Sequence, residues 1–376
     1  MRINLVLGPF QPPPPAPTGA IEKVWWQLGE VFAAKGHEVT IAFKDHPDIP
    51  PGDTLDGMNL IRLNGPDRSG SIKRDILFRD PIYSFRAWRR LPPADVTVTN
   101  CFWLPVFLEG LRRKTGALNV HVQRFPKGQM WLYGRAERLS TVSQAIADAL
   151  IAERPSLESQ VKIIGNPVDV DVFHPEPTPR PISDAPLLLF TGRIHPEKGL
   201  DQLVEACARL RGEFPGLRLR LVGRYSIEAG GGGDAYVEKL RNLAEGVEVE
   251  TPGGIADPAE LAAEIRSADA YCYPSIAFYG EASPVAPLEA MACGLPPIVS
   301  DLPQFAGYAQ DGETALVFAR EGDDPVGELT ECIRRMLSDD QLRNRLRTAG
   351  IERAGEFSYP AIADAYLEDF MATRRS

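Results

Sequence analysis

The chain alternates short apolar runs with longer amphipathic stretches, and the alternation occurs twice. Residues 3–7 form a compact apolar run, as expected of a strand buried in a parallel sheet. A loop follows over 8–18, and its four consecutive prolines, Pro12 to Pro15, forbid helix and central strand there. Over 19–35, apolar Ile21, Val24, Trp25, Leu28, Val31 and Phe32 recur at helical spacing, and Gly36 stands where a C-terminal cap belongs. A strand over 39–43 completes a β-loop-α-β unit, the building block of a doubly wound sheet. Further strands are predicted over 95–99, 117–122, 139–142 and 161–164, with a helix over 144–151. Residues 45–93 are less regular, and only a short strand near 59–63 is predicted among loops.

Residues 174–186, HPEPTPRPISDAP, hold five prolines and little apolar surface, the composition of an interdomain linker. The pattern then restarts. Strands are predicted over 187–191, 217–222, 247–250, 270–273 and 297–299. Helices are predicted over 199–211, 235–244, 258–267, 286–293, 325–338, 340–355 and 360–373. The expectation is an α/β protein with two Rossmann-like domains whose parallel sheets face each other across a cleft. The domains would span 1–173 and 187–358, with 174–186 as linker and a C-terminal helix, 359–376, packing back on the first domain.

A length of 376 residues suits two domains, and 44% hydrophobic with 24% charged residues is ordinary globular composition. No apolar run approaches the ~20 residues of a membrane helix, and the N-terminus lacks signal-peptide character, so a cytoplasmic protein is expected. The five cysteines (Cys101, Cys207, Cys272, Cys293 and Cys332) are odd in number and form no CxxC pair, which disfavours a disulfide framework or a zinc site. Charge changes the picture more. Residues 1–175 hold 21 Lys and Arg against 18 Asp and Glu, whereas the rest of the chain holds 20 against 33. Within 60–138 the balance is 15 against 6, a surplus of +9. A surface that meets an anion and a merely solvated basic surface account for this equally. Nucleic acid is disfavoured, because the basic stretch carries no binding motif.

Two constellations carry chemistry. Gly192-Arg193-Ile194-His195-Pro196-Glu197-Lys198-Gly199 follows a predicted strand and opens a helix. Arg193 can fork onto two phosphate oxygens and Lys198 supplies a point charge, a combination suited to a diphosphate. Neither Walker A nor GxGxxG is present, which disfavours a dehydrogenase. Glu281 and Glu289 are separated by seven residues in GEASPVAPLEAMACG, between the strands at 270–273 and 297–299, at the carboxyl edge where open α/β sheets gather ligands. Carboxylates suit sugar hydroxyls, since each accepts two or more hydrogen bonds.

These motifs resemble those of the GT-B glycosyltransferases, of the retaining family 4 type (group 1). The likeness runs over nearly the whole chain. PLEAMACG, GRIHPEKGLDQLVEA, IIGNPVDVDVFHPEP and TGAIEKVWWQLGEVFAAKGHEVTIAF carry it. The resemblance implies a hexose moved from a UDP- or GDP-sugar to a lipid-linked or glycan acceptor, in envelope glycolipid, lipopolysaccharide or polysaccharide synthesis. It implies that Arg193 and Lys198 bind the donor diphosphate and stabilise the leaving group. Glu281 would hold the hexose and Glu289 the ribose. Gly192, Ser283 and Val285 would line the donor site. Gly19 would admit phosphate or acceptor close to the backbone. Asn166 and Pro167 would mark the approach to the hinge. No metal or cofactor beyond the nucleotide sugar is implied. His121 would contact the sugar, with Gln123 and Arg124 as alternatives for that place. The basic residues of 60–138 would face an acceptor-side anion, including an anionic membrane met peripherally at its inner face. The sequence departs from the family pattern at Ala20, where a second glycine is usual. It departs again at Ser283-Pro284, where Phe-Gly is usual and where proline removes one N–H from the sugar site. An epimerase of the same fold and a non-catalytic nucleotide-sugar-binding protein are the competing readings.

Overall fold

The computed structural model describes residues 1–16, 18–108, 112–178 and 181–374. It divides into two compact units, 1–166 with 359–376, and 167–358.

The first unit is built on an eight-stranded sheet. Its strands are β1 (Arg2–Val6), β2 (Glu38–Lys44), β3 (Thr54–Leu55), β4 (Met58–Leu63), β5 (Val96–Thr99), β6 (Ala117–Val122), β7 (Arg138–Thr141) and β8 (Val161–Ile163). The order is β3-β4-β2-β1-β5-β6-β7-β8, parallel throughout except for the β3–β4 pair. β1 lies between β2 and β5, with Ile3 opposite both Val39 and Val96. Helix α1 (Ala20–Ala34) buries Trp25, Trp26, Leu28 and Phe32. Each such side chain contributes about 1.5–3 kcal/mol of transfer free energy. Both tryptophans are core residues. Residues 72–90, expected as loops, are helical. Short α2 (Ile72–Arg74) runs through a π turn (Asp75–Arg79) into α3 (Asp80–Arg90). Short α4 (Leu104–Leu108) and α5 (Arg112–Thr115) precede β6, and α6 (Gln144–Glu153) follows β7, its first turn capped by the Ser143 hydroxyl.

The second unit carries a six-stranded, all-parallel sheet ordered β11-β10-β9-β12-β13-β14. These strands are β9 (Leu187–Thr191), β10 (Arg218–Val222), β11 (Glu248–Gly253), β12 (Ala270–Tyr273), β13 (Pro297–Ser300) and β14 (Leu316–Phe318). Its helices are α7 (Leu200–Leu210), α8 (Asp234–Leu243), α9 (Pro258–Ser267), α10 (Ala286–Ala292), α11 (Pro325–Ser338) and α12 (Asp340–Gly355). The last helix, α13 (Tyr359–Thr373), belongs to the first unit, where Tyr366 packs on Trp25 and Phe370 on Phe32.

The division falls at 166/167, not after 173, and 167–186 counts with the second unit rather than standing between two domains. Val168 and Phe173 are buried in the second unit's core, and the Asp269 carboxylate accepts from the Ser183 and Leu187 backbone N–H groups. The linker positions Pro179 and Arg180, and positions 375–376 of the expected final helix, lie outside the described residues. In each sheet the strand order reverses once, between β1 and β5 and between β9 and β12, and a crevice opens at the carboxyl ends of such a pair.

Candidate active site

At the second unit's reversal point, β9 ends in Thr191 and the chain turns through Gly192 to Gly199 before α7 begins. The turn is tightly specified. Gly192 has φ +147 and Gly199 φ +69, and a Cβ on Gly199 would collide with the Pro274 carbonyl beyond β12. The Ile276 N–H donates to the Glu197 carbonyl, fastening the loop after β12 to the turn after β9.

That fastening brings Lys198 and Glu281 together. Both are buried, and Lys198 Nζ donates to Glu281 Oε1 at 2.5 Å. The Tyr273 hydroxyl, at the end of β12, donates to the same oxygen at 3.1 Å, and its ring lies 5.5 Å from Lys198 Nζ. Burial and the Glu281 charge push the Tyr273 phenol well above its ordinary range, so it remains a donor. An ion pair this deep persists only because charge, hydroxyl and ring compensate one another's desolvation.

Arg193 stands differently. Its guanidinium is half exposed, pairs with Glu197 Oε1 at 2.5 Å and donates to the Gly230 carbonyl at 2.7 Å. The expectation of two cations on one anion site therefore needs qualification: Lys198 is locked by burial, whereas Arg193 is held by exchangeable partners. The glycine run Gly230 to Gly233 gives the reason. The Gly232 N–H donates to the Ile194 carbonyl and the Gly230 carbonyl accepts from Arg193, so this loop shapes the arginine's position. The four glycines were visible in the sequence; their partner was not.

Glu289 is half-buried in the first turn of α10, Ser283 is buried, and Val285 occupies the position before that helix. Gly192, Arg193, Lys198, Glu281, Ser283, Val285 and Glu289 thus all belong to the loops after β9 and β12 and to α10.

His121 and Gly19 belong to the first unit, at its own reversal point. A cleft of about 340 Å³ opens there, lined among others by Glu22, Asn100, His121, Gln123, Arg124 and Tyr133. Each of the three residues considered for the sugar contact lines it. His121 is the buried one, with Nδ1 3.0 Å from Trp25 Nε1 and 2.9 Å from Asn100 Nδ2. Two donors converge on one lone pair, which leaves the ring proton on Nε2. Burial lowers its pKa to about 3, so the ring is neutral. Gln123 donates to Asn166 at 2.8 Å. Over Gly19 the space is occupied by the Glu22 carboxylate, so the missing side chain admits a neighbour from its own helix. Sequence reasoning missed Glu22, whose carboxyl pKa is raised by burial, with Arg68 and Arg124 opposing.

Residues 176–353 match the family model described as glycosyl transferases group 1. A phosphatidyl-myo-inositol mannosyltransferase of Mycobacterium leprae is 28% identical over 93% of this chain and 92% of its own length. A D-inositol 3-phosphate glycosyltransferase of Kineococcus radiotolerans is 30% identical over 64% of this chain and 58% of its own. Residues 176–353 thus form a group 1 glycosyl transferase domain. The chain's match to another D-inositol 3-phosphate glycosyltransferase, from Nocardioides, spans only about half of that relative, 49%. Among solved structures, sucrose-phosphate synthase from Thermosynechococcus elongatus shares the fold with TM-score 0.77 and 22% identity, covering 99% of this chain and 100% of that one. HepE of Anabaena, solved with UDP and glucose, shares it with TM-score 0.68 and 17% identity, over 99% and 100% of the two chains. The glycosyltransferase is thus of the GT-B fold.

Proposed function

We propose that this glycosyltransferase moves a hexose from a UDP- or GDP-sugar to a lipid-linked or glycan acceptor in envelope glycolipid or polysaccharide synthesis, with retention at the anomeric carbon. The observation that carries the reading is the buried Lys198–Glu281 pair at the reversal point of the second sheet, with Tyr273 on the same carboxylate oxygen. A relative named phosphatidyl-myo-inositol mannosyltransferase, and a fold neighbour solved with UDP and glucose, support the donor and acceptor classes.

In this mechanism Lys198, and Arg193 after it leaves Glu197, bind the donor diphosphate. The bond between C1 and the phosphate oxygen breaks, and the two cations stabilise the charge growing on that oxygen. They would supply the counter-charge without a metal. The acceptor oxygen bonds C1 on the face the phosphate leaves, and its proton passes to the departing phosphate. Glu281, with Oε1 already occupied, offers Oε2 to the hexose hydroxyls, and Glu289 holds the ribose. Ser283 and Val285 line the hexose side, where Pro284 offers no N–H. His121 in the neutral form donates through Nε2 to a sugar hydroxyl. Gly19 and the first unit's cleft face the acceptor.

A panel of nucleotide sugars tests the reading, followed by thermal stabilisation and by slow donor hydrolysis without acceptor. One donor should stabilise the protein, and Arg193→Ala and Glu289→Ala should each abolish the shift. A folded protein that answers to no donor would overturn it, and conversion to a second nucleotide sugar would make the enzyme an epimerase.

A further inference from the structure

Residues 72–90 form one helical stretch that borders the first unit's cleft on one side and solvent on the other. Inward, Tyr83, Ser84 and Ala87 are buried, and Asp80 accepts from the backbone N–H groups of Phe102 and Trp103 just after β5. Outward, Ile72 is 70% exposed, Leu77 56%, Phe78 67%, Ile82 55% and Phe85 43%. These are five of the twelve large apolar side chains exposed among the described residues, gathered within fourteen positions. The π turn at Asp75–Arg79 contributes to this, because its wider turn keeps Leu77 on the side of Ile72, and Phe78, Ile82 and Phe85 continue at helical spacing.

The charge around this stripe has one sign. Lys73, Arg74, Arg79, Arg86, Arg89 and Arg90 lie in the stretch, and Arg89 sits 6.0 Å over the Phe85 ring. Its only acids, Asp75 and Asp80, are both buried and both accept hydrogen bonds from the protein. A face apolar along its middle and purely cationic at its flanks complements a surface that is apolar within and anionic at its rim. Among the described residues no helix is long and apolar enough to cross a membrane.

We propose that the outer face of residues 72–90 docks on the surface of an anionic lipid bilayer. Leu77, Phe78 and Ile82 enter the boundary between headgroups and acyl chains, and the lysine and arginines meet the lipid phosphates. Ile72, Asp75, Ile76 and Asp80 also line the cleft, so a docked stretch lays the cleft's rim along the headgroups. This consequence rests on the reading of a lipid-linked acceptor; the docking itself does not.

Flotation of the full chain with vesicles tests it, comparing phosphatidylglycerol in phosphatidylcholine with phosphatidylcholine alone. The chain should float with the anionic vesicles and be released by salt. Combining Leu77→Ser, Phe78→Ser and Ile82→Ser should weaken partitioning about tenfold or more. The triple variant should keep the donor-induced thermal shift, which reports on the second unit and tells failure of docking from failure of the transferase reading. No flotation of the wild type overturns the proposal, as does flotation that the triple variant leaves unchanged. A wild type that is dimeric, ignores vesicles and becomes monomeric in the triple variant would assign the face to a second copy instead.

Discussion

At the scale of single residues, the site depends on how a buried charge is kept. Lys198 and Glu281 compensate each other, and removing one leaves the other uncompensated. Lys198→Met should therefore cost about 3–5 kcal/mol in urea unfolding, whereas Lys198→Met combined with Glu281→Leu should recover most of that loss. A single variant as stable as wild type would mean that the pair is not ionic. Tyr273 acts through Glu281 and is a positioning residue. Tyr273→Phe removes one hydrogen bond of about 1 kcal/mol, so kcat/KM for the donor should fall roughly fivefold without loss of the fold. An unchanged kcat/KM would reduce Tyr273 to core packing. Nothing in the sequence separated this tyrosine from an ordinary strand residue, because its role is set by two partners 75 and 8 positions away.

At the scale of elements, the ends of β9 and β10 approach so closely that Gly223 has no room for a side chain. A Cβ there would strike the Gly192 carbonyl, and neither side of that contact is a flexible side chain. Gly223→Ala should displace the turn that carries Arg193 and Lys198, lowering stability by about 1–3 kcal/mol and donor binding with it. Thermal unfolding with and without donor measures both, and an unperturbed variant would show that the turn yields. Strand β9 was legible because a doubly buried parallel strand reads as an apolar run, and α7, α8 and α11 because their apolar positions keep one helical period. The stretch 72–90 was not legible. Its apolar residues face both inward and outward, arginines interrupt them, and a π turn breaks the period. Strand β14 holds three residues, too few for a pattern. Motifs placed Lys198 at a strand-to-helix turn and Glu281 at the carboxyl edge of the sheet, whereas the Gly230 carbonyl that accepts from Arg193 comes from a loop 37 positions away and needed the structure.

At the scale of the whole chain, charge and burial divide between the units. The negative balance lies in the C-terminal part, and the positive surplus of 60–138 lies in the first unit, where the exposed helix 72–90 concentrates it. The first unit also buries His121, whose titration must act on folding. In the unfolded chain His121 binds a proton near its ordinary pKa of 6.5, and in the fold burial lowers that to about 3. Between those values the unfolded state holds more protons, so stability rises with pH, and the contribution is complete above 6.5 and lost as pH falls toward 3. One proton corresponds to a slope of about 1.4 kcal/mol per pH unit in that window. Urea unfolding of the wild type and of His121→Gln, followed from pH 7 downward, should show this slope as the difference between them. The variant should lose less stability on acidification, even if it starts lower because Trp25 and Asn100 lose their shared acceptor. Parallel pH profiles for the two proteins would mean that His121 is as easily protonated in the fold as outside it. The reading of this ring as a neutral Nε2–H donor in the cleft would then fail.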